Sequence, residues 1–298
     1  MNRKSLIKRM LREFVEERKL RLYSLDWDDN ILGMPTKIYL KGENGGVIGM
    51  ATDDFAEYRH LIGKEPFEYE GATIIGFDDN AYRDFVHPKT FLSDTIKAVK
   101  KDRFSPSFKK FKETLIYANH FSIITARGHN PDVIKEGVKI FIDIVLTTEE
   151  KLEMIENIKD TINFEELGGF YKLDNLSDEQ LIDIYLDEKG EYYPVSSKEF
   201  GQRFKLDSSG GASSPEHSKK IALSDFLEQV YNKVGKLIQS GKYGSVSLGF
   251  SDDDSKNVKS IIEHIEEELI RIYPEVHFVV FDTSEGGMKK IVIKRVQD

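Results

Sequence analysis

Asp26 and Asp28 stand two residues apart in LYSLDWDDNIL (22–32), directly after the apolar run Leu22, Tyr23 and Leu25. β-Formers that give way at once to clustered carboxylates read as a buried strand ending at the C-terminal edge of a sheet. In open α/β sheets that edge is where ligands bind. Residues two apart on an extended segment point the same way. The pair can therefore share a divalent cation, or act as a nucleophile with an acid beside it. An acidic turn after a strand has the same composition, and this stretch alone leaves both readings open. Three further stretches carry chemistry. FSIITARG (121–128) ends an apolar run in a hydroxyl, Thr125; KKIALSDFL places a lysine at the head of an amphipathic helix; VSLGFSDDD (246–254) ends in a second carboxylate cluster.

Asp-x-Asp, then Thr, then Lys, then an acid pair, each acid or hydroxyl after a strand-like run, resembles the haloacid dehalogenase superfamily. The four motifs touch a minority of residues but span the chain from Asp26 to Asp254. The resemblance implies an α/β fold: a Rossmann-like core of mostly parallel sheet with helices on both faces, and a strand-rich cap inserted after the first motif. It also implies a magnesium-dependent phosphatase. Asp26 would be the nucleophile that forms an aspartyl-phosphate, and Asp28 would protonate the leaving oxygen and then activate water. Thr125, with Ala126 beside it, would bind a phosphoryl oxygen. Lysine would offset negative charge, and Lys219 fits the family pattern better than Lys220. Asp252 and Asp253, read as the acid pair ahead of Asp254, would complete a magnesium shell with the Asp26 carboxylate and the Asp28 carbonyl. Two departures stand out: Asn30 replaces the usual Thr or Val, and Asp254 stands where phage-type polynucleotide 3′-phosphatases have arginine. Arg127 is a candidate phosphate contact or a surface salt bridge. His129 and His217 are the histidines nearest the motifs.

The elements that must position these residues follow from periodicity. Residues 1–21 have apolar positions at helical spacing and a basic opposite face, which suits either contact with phosphate or packing on the domain. Residues 22–32 and 105–298 are expected to form the core, and 33–104 the cap. Within the cap, PTKIYLKGENGGVIGMATDDF reads as a hairpin and FEYEGATIIGF as further strands, followed by a helix at 91–100. Tyr58, Arg59, His60, Tyr82, Arg83 and His87 face either a ligand or solvent. Further on, ELGGFYKLDN and GEYYPVSS bracket the helix SDEQLIDIYLDE as a βαβ-like unit. The Gly/Ser-rich stretch 206–218 is a loop that either cradles phosphate or is simply flexible. VHFVVFDTS and KKIVIKRV read as a closing hairpin at a sheet edge.

The chain has 298 residues, of which 39% are hydrophobic and 32% charged, a composition for ordinary globular folding. The absence of cysteine removes thiolate catalysis and Cys-ligated zinc. A net charge of −9 argues against wholesale coating of nucleic acid. No signal peptide or membrane-spanning run is evident, so a cytoplasmic enzyme acting on a phosphorylated substrate is expected. The wording DWDDNIL…MPTKI and ITARGH more loosely resembles hydrolase-like proteins of tailed bacteriophages. That brings in a nucleic-acid end or a nucleotide as substrate, beside a small metabolite, and the host cytoplasm as location. A binding or assembly protein on the same fold, for example in a virion, is the alternative function.

Overall fold

The structure, a computed structural model, describes residues 18–165, 167, 173–206 and 214–293. Its order is β1 (Lys19–Leu25), β2 (Lys37–Gly42), β3 (Val47–Ala51), α1 (Thr52–Tyr58), β4 (Phe67–Tyr69), β5 (Ala72–Phe77), α2 (Pro88–Lys100), α3 (Phe108–Ile116) and β6 (His120–Thr125). It continues with α4 (Pro131–Val145), α5 (Thr148–Glu165), α6 (Asp178–Glu188), β7 (Gly190–Pro194), α7 (Lys198–Arg203), α8 (Pro215–Gln239), β8 (Ser245–Asp252) and α9 (Ser255–His264). A π-type turn, Ile265–Leu269, extends α9 before β9 (Val276–Asp282) and β10 (Lys289–Val292).

A six-stranded sheet in the order β10-β9-β8-β1-β6-β7 forms the core. All neighbours pair in parallel except β9 with β10, the expected closing hairpin at the edge. All six residues of β6 are buried, as befits a strand covered on both faces. Two apolar clusters lie on the two faces. One gathers Trp27, Phe91, Phe111 and Phe141 with α2 to α6, and the other gathers Leu22, Phe226, Phe250 and Phe278 with α8 and α9. The chain is thus α/β with a mostly parallel sheet flanked by helices.

The separate antiparallel sheet β3-β2-β5-β4 is the strand-rich insertion after the first acidic strand end. It has a small apolar core of its own around Leu40, Met50 and Ile74. Gly45, at φ +77°, makes the turn between β2 and β3 in the left-handed region that glycine enters without penalty.

The structure moves two expected boundaries. Lys19, Leu20 and Arg21 belong to β1 and not to an N-terminal helix, because alternate residues of this strand face the core; residues 1–17 lie outside the described residues. Helix α2 belongs to the core rather than the cap, so the insertion ends before Pro88. The reason is Phe91, which packs 5.6 Å from Trp27, ring centre to ring centre. It also lies against Gly137 of α4, where a Cβ would come within 2.6 Å of its ring.

Two helices are capped by reciprocal side-chain bonds at their starts. Ser177 and Gln180 form a reciprocal capping box on α6, and Thr147 and Glu150 exchange the same pair of bonds at the start of α5. Much of ELGGFYKLDN, and residues 207–213 of the Gly/Ser-rich stretch, lie outside the described residues. No helix among the described residues is long and apolar enough to cross a membrane.

Candidate active site

The C-terminal ends of β1, β6 and β8 bring three of the motifs to one crevice, and α8 delivers the fourth. Asp26 follows β1 directly; its N–H donates to the Ser251 carbonyl at 3.0 Å, extending the β1–β8 ladder by one bond. Its Oδ1 accepts the Trp27 N–H at 2.8 Å, and Oδ2 lies 3.0 Å from Lys219 Nζ. Trp27, fully buried against Phe91, Phe111 and Phe141, pins the backbone on the far side.

Lys219 sits near the start of α8, which opens with Ser214 as N-cap and Pro215 in the first turn. It is fully buried, and Nζ also donates to Asp252 Oδ2 at 2.6 Å. Burial would push the ammonium down, but Asp252 and Asp26 outweigh it and hold Lys219 above its ordinary pKa. Lys220 lacks this burial, so the structure selects Lys219. Asp252 Oδ1 accepts from the Asp254 N–H and from Asn257 Nδ2, each at 3.0 Å. Asn257, on α9, fixes the orientation of a buried carboxylate and was not legible in the sequence, where it is one amide among many.

Asp26, Asp252 and Asp253 each present a carboxylate oxygen within 4.8 Å of the others. Burial, then Asp26 and Asp252, push Asp253 up to about 9. Burial, then Asp252 and Asp28, push Asp26 up to about 7 against the pull of Lys219. An oxygen-only donor set short of positive charge fits a hard divalent cation. Asp254 takes a different part. It caps α9 through Lys256 N–H at 2.9 Å and pairs with Arg59 of the insertion at 3.0 Å, which separates it from Asp252 and Asp253 as the sequence register required.

The Asp28 carboxylate is outside this trio. Arg127 forks it, with Nε to Oδ2 at 2.8 Å and Nη2 to Oδ1 at 2.5 Å, and Thr125 Oγ1 donates at 3.2 Å. Arg127 Nη2 also reaches Thr36 Oγ1 at 2.7 Å, and Thr36 donates to the buried Asp94 at 3.1 Å. Both readings of Arg127 are thereby corrected. It is neither a phosphate contact nor a surface ion pair, because it is fully buried between the rings of Phe85 and Phe91. Its work is to hold Asp28 in place. Thr125 likewise spends its hydroxyl on Asp28 in this structure, while Ala126 lines the crevice.

Asn30 is the largest feature the sequence did not expose. Its Nδ2 donates to the carbonyls of Asp26 and Ser251, both at 3.1 Å. Its Oδ1 accepts from Ser107 at 3.0 Å and from Ser251 and Thr283 at 2.9 Å. One fully buried amide ties the loop after β1 to β8, to the start of α3 and to the end of β9. A Thr or Val here could not make these five bonds. Asp29 lines the crevice at φ +54°, a left-handed conformation that Asp tolerates better than most residues.

His129 is buried against Phe91, its pKa lowered to about 4 by burial and by Arg127. His217 is an exposed residue in the first turn of α8 rather than in a loop. Of the six insertion residues, Arg59 and Tyr82 line cavities at the crevice. Tyr58 stacks on Phe67, Arg83 pairs with Asp78, His60 Nδ1 is bonded to the Glu57 carbonyl, and His87 precedes α2.

A cleft of about 350 Å³ opens over Asp26, Lys219 and Asp253, roofed by Thr52, Phe55 and Arg59. The geometry can neutralise an anion at one end and present a carboxylate nucleophile to it. Comparison with protein-family models, with curated proteins and with solved structures finds no match for this chain.

Proposed function

We propose that this chain is a magnesium-dependent phosphatase of the haloacid dehalogenase type, acting on a phosphomonoester. The observation that carries the reading is the convergence of Asp26, Lys219, Asp252 and Asp253 from three separate elements into one buried cluster. A cluster of three acids around one lysine is costly to keep without a ligand that uses it.

An Asp26 carboxylate oxygen attacks phosphorus and the bond to the ester oxygen breaks. Asp28, which takes up a proton from solvent as one of its oxygens turns from Arg127 into the cleft it lines, gives that proton to the ester oxygen. Asp28 then takes a proton from the water that cleaves the aspartyl-phosphate. Arg127 and Thr125 keep Asp28 aligned, which matters because small misplacements are expensive in rate. Lys219 holds Asp26 and Asp252 apart from one another's charge and faces the incoming phosphoryl oxygens. Asp26, Asp252 and Asp253 would hold magnesium, which screens the charge of nucleophile and phosphate so that the two can approach. Asp28 would join through its carbonyl, which leaves its carboxylate for the proton transfers.

The test is phosphate release from an aryl phosphate and from 3′- and 5′-phosphorylated oligonucleotides, with Asp26→Asn in parallel. Turnover that disappears with EDTA and in Asp26→Asn is expected. No turnover together with no magnesium binding refutes the enzyme reading and leaves a binding or assembly protein.

A further inference from the structure

The acid cleft does not end at the insertion. It runs into a second, larger chamber of about 540 Å³, and the two share Thr52, Phe55, Arg59, Ala126, Asp254 and Asn257 as walls. The chemistry changes along the way. At the cleft end the lining is carboxylates and Lys219; beyond Arg59 it is Ile38, Phe55, Tyr82, Phe85 and Val86. Tyr82 is 47% exposed and Val86 56%, so large apolar surface is left uncovered where it faces the chamber. Phe55 and Phe85 stand edge-on to Tyr82 at 6.3 and 6.0 Å between ring centres, a continuous aromatic wall. On the core side Gly128 leaves room that a side chain would take: a Cβ there would meet Val86 at 2.9 Å.

We propose that the substrate is a small phosphomonoester whose alcohol part carries a flat, uncharged ring system, with the phosphate over Asp26 and the ring in this chamber. The proposal rests on the phosphatase reading for the orientation of the phosphate. Pockets of this size take whole small molecules, chiefly by apolar contact with a few polar groups that fix orientation. The charge pattern selects against the polymer alternative. A nucleic-acid chain needs cations spaced along its phosphates, whereas among the described residues the chamber's charged walls are Arg59, Asp254 and Glu216, with Arg59 already paired to Asp254. A single phosphate at the cleft end and an uncharged group beyond it match what the walls offer.

The decisive measurement is calorimetric binding, with magnesium present, of two phosphonates that cannot be hydrolysed, 2-(2-naphthyl)ethyl phosphonate and n-butyl phosphonate. The ring compound is expected to bind at least tenfold tighter, ~1.4 kcal/mol. Tyr82→Ala and Phe55→Ala should each erase most of that difference, and Tyr82→Ala, which lies outside the acid cleft, should leave n-butyl phosphonate within about twofold. Equal binding, no binding, a ring preference that both variants keep, or tighter binding of a 3′-phosphorylated dinucleotide overturns the proposal. Turnover of the two corresponding phosphate esters, which have similar alkyl leaving groups, is followed separately. Ring-selective binding without turnover refutes the phosphatase reading and leaves the chamber assignment standing.

Discussion

Replacing Asp253 by Asn should make the metal-free protein more stable and the magnesium-loaded protein less so. Asp253 is largely buried beside Asp26 and Asp252, and its carboxyl is pushed up to about 9. An unfolded chain releases that proton near pH 3.9. The sign follows: because the folded-state pKa is the higher, the unfolded state ionises first, and stability is lost as pH rises from about 4 towards about 9. At pH 7 the full difference would amount to about 4 kcal/mol. Local relaxation and water reaching a partly exposed group reduce this, so a gain of about 1–2 kcal/mol is expected from Asp253→Asn, on the order of 2–5 °C in Tm.

The assay is thermal unfolding of both proteins in EDTA and in magnesium, between pH 5 and 9. In EDTA the variant should unfold at the higher temperature, with a flatter dependence on pH. Magnesium at a hundred times its Kd should stabilise the wild type by about 2.7 kcal/mol and the variant far less, so that the order of stability reverses. A variant no more stable than wild type in EDTA refutes the account of crowded charge. A variant that magnesium stabilises as strongly as wild type removes Asp253 from the ligand set.

Arg127→Lys keeps the buried charge but loses the fork on Asp28; kcat should fall on the order of 10–100-fold with magnesium affinity unchanged, and an unaltered kcat would refute a positioning role. Asn30→Ala strips five hydrogen bonds from a fully buried hub and should cost about 2–3 kcal/mol in urea unfolding. Far from the crevice, at the opposite end of the sheet, Glu165 accepts from His120 at 2.8 Å, Lys189 at 2.9 Å and Tyr243 at 2.5 Å. Glu165→Leu leaves Lys189 buried without its carboxylate and should cost about 3–5 kcal/mol. Burial alone would push Glu165 up, but His120, Lys189 and Tyr243 hold it well below the usual carboxylate range. Its contribution is therefore complete above the ordinary carboxylate pKa and lost as pH falls through the native one. His120, lowered chiefly by burial, adds a loss below about pH 6.5 that both proteins share. It is therefore below the ordinary carboxylate pKa, where wild type alone gives up the Glu165 contribution, that its acid unfolding should be steeper than that of Glu165→Leu.

What the sequence revealed and what it hid divide along one physical line. Asp26, Thr125 and Asp252 were legible because each ends a run of β-formers, and a parallel sheet delivers such ends to one edge. Lys219 was legible as the motif lysine, favoured over Lys220 by the motif pattern, and the helix buries Lys219 while leaving Lys220 partly exposed. Arg127 lay in the right place in the chain, two residues past Thr125, yet its target depends on Phe85, Phe91 and Thr36, which arrive from 36 to 91 residues away. Asn30 shows the same limit, since its partners come from four separate parts of the chain. Helix α2 was misplaced because strand-rich sequence precedes it, while its membership is decided by Phe91 meeting Trp27 and Gly137.

The two halves of the crevice are held in different ways, and that difference bears on function. The loop after β1 that carries Asp26 and Asp28 is clamped from below by Trp27 in its aromatic nest and from the side by Asn30, all fully buried. The insertion meets the acid cluster through Arg59 and Asp254, whose side chains are 36% and 26% exposed. An ion pair that open to solvent contributes about 1 kcal/mol or less, too little to fix the Arg59 end of the insertion. Phe85 anchors the other end by packing on Arg127 and by accepting, at its carbonyl, the Gly128 N–H at 3.0 Å. Asp26 and its partners can therefore stay fixed while Arg59, Phe55 and Tyr82 shift to admit a ligand. It follows that changes at Tyr82 or Phe55 should alter which ester binds and leave the bond-breaking apparatus intact. Changes at Asn30 or Arg127 should weaken turnover of every ester alike, because they act on the placement of Asp26 and Asp28 and not on the chamber.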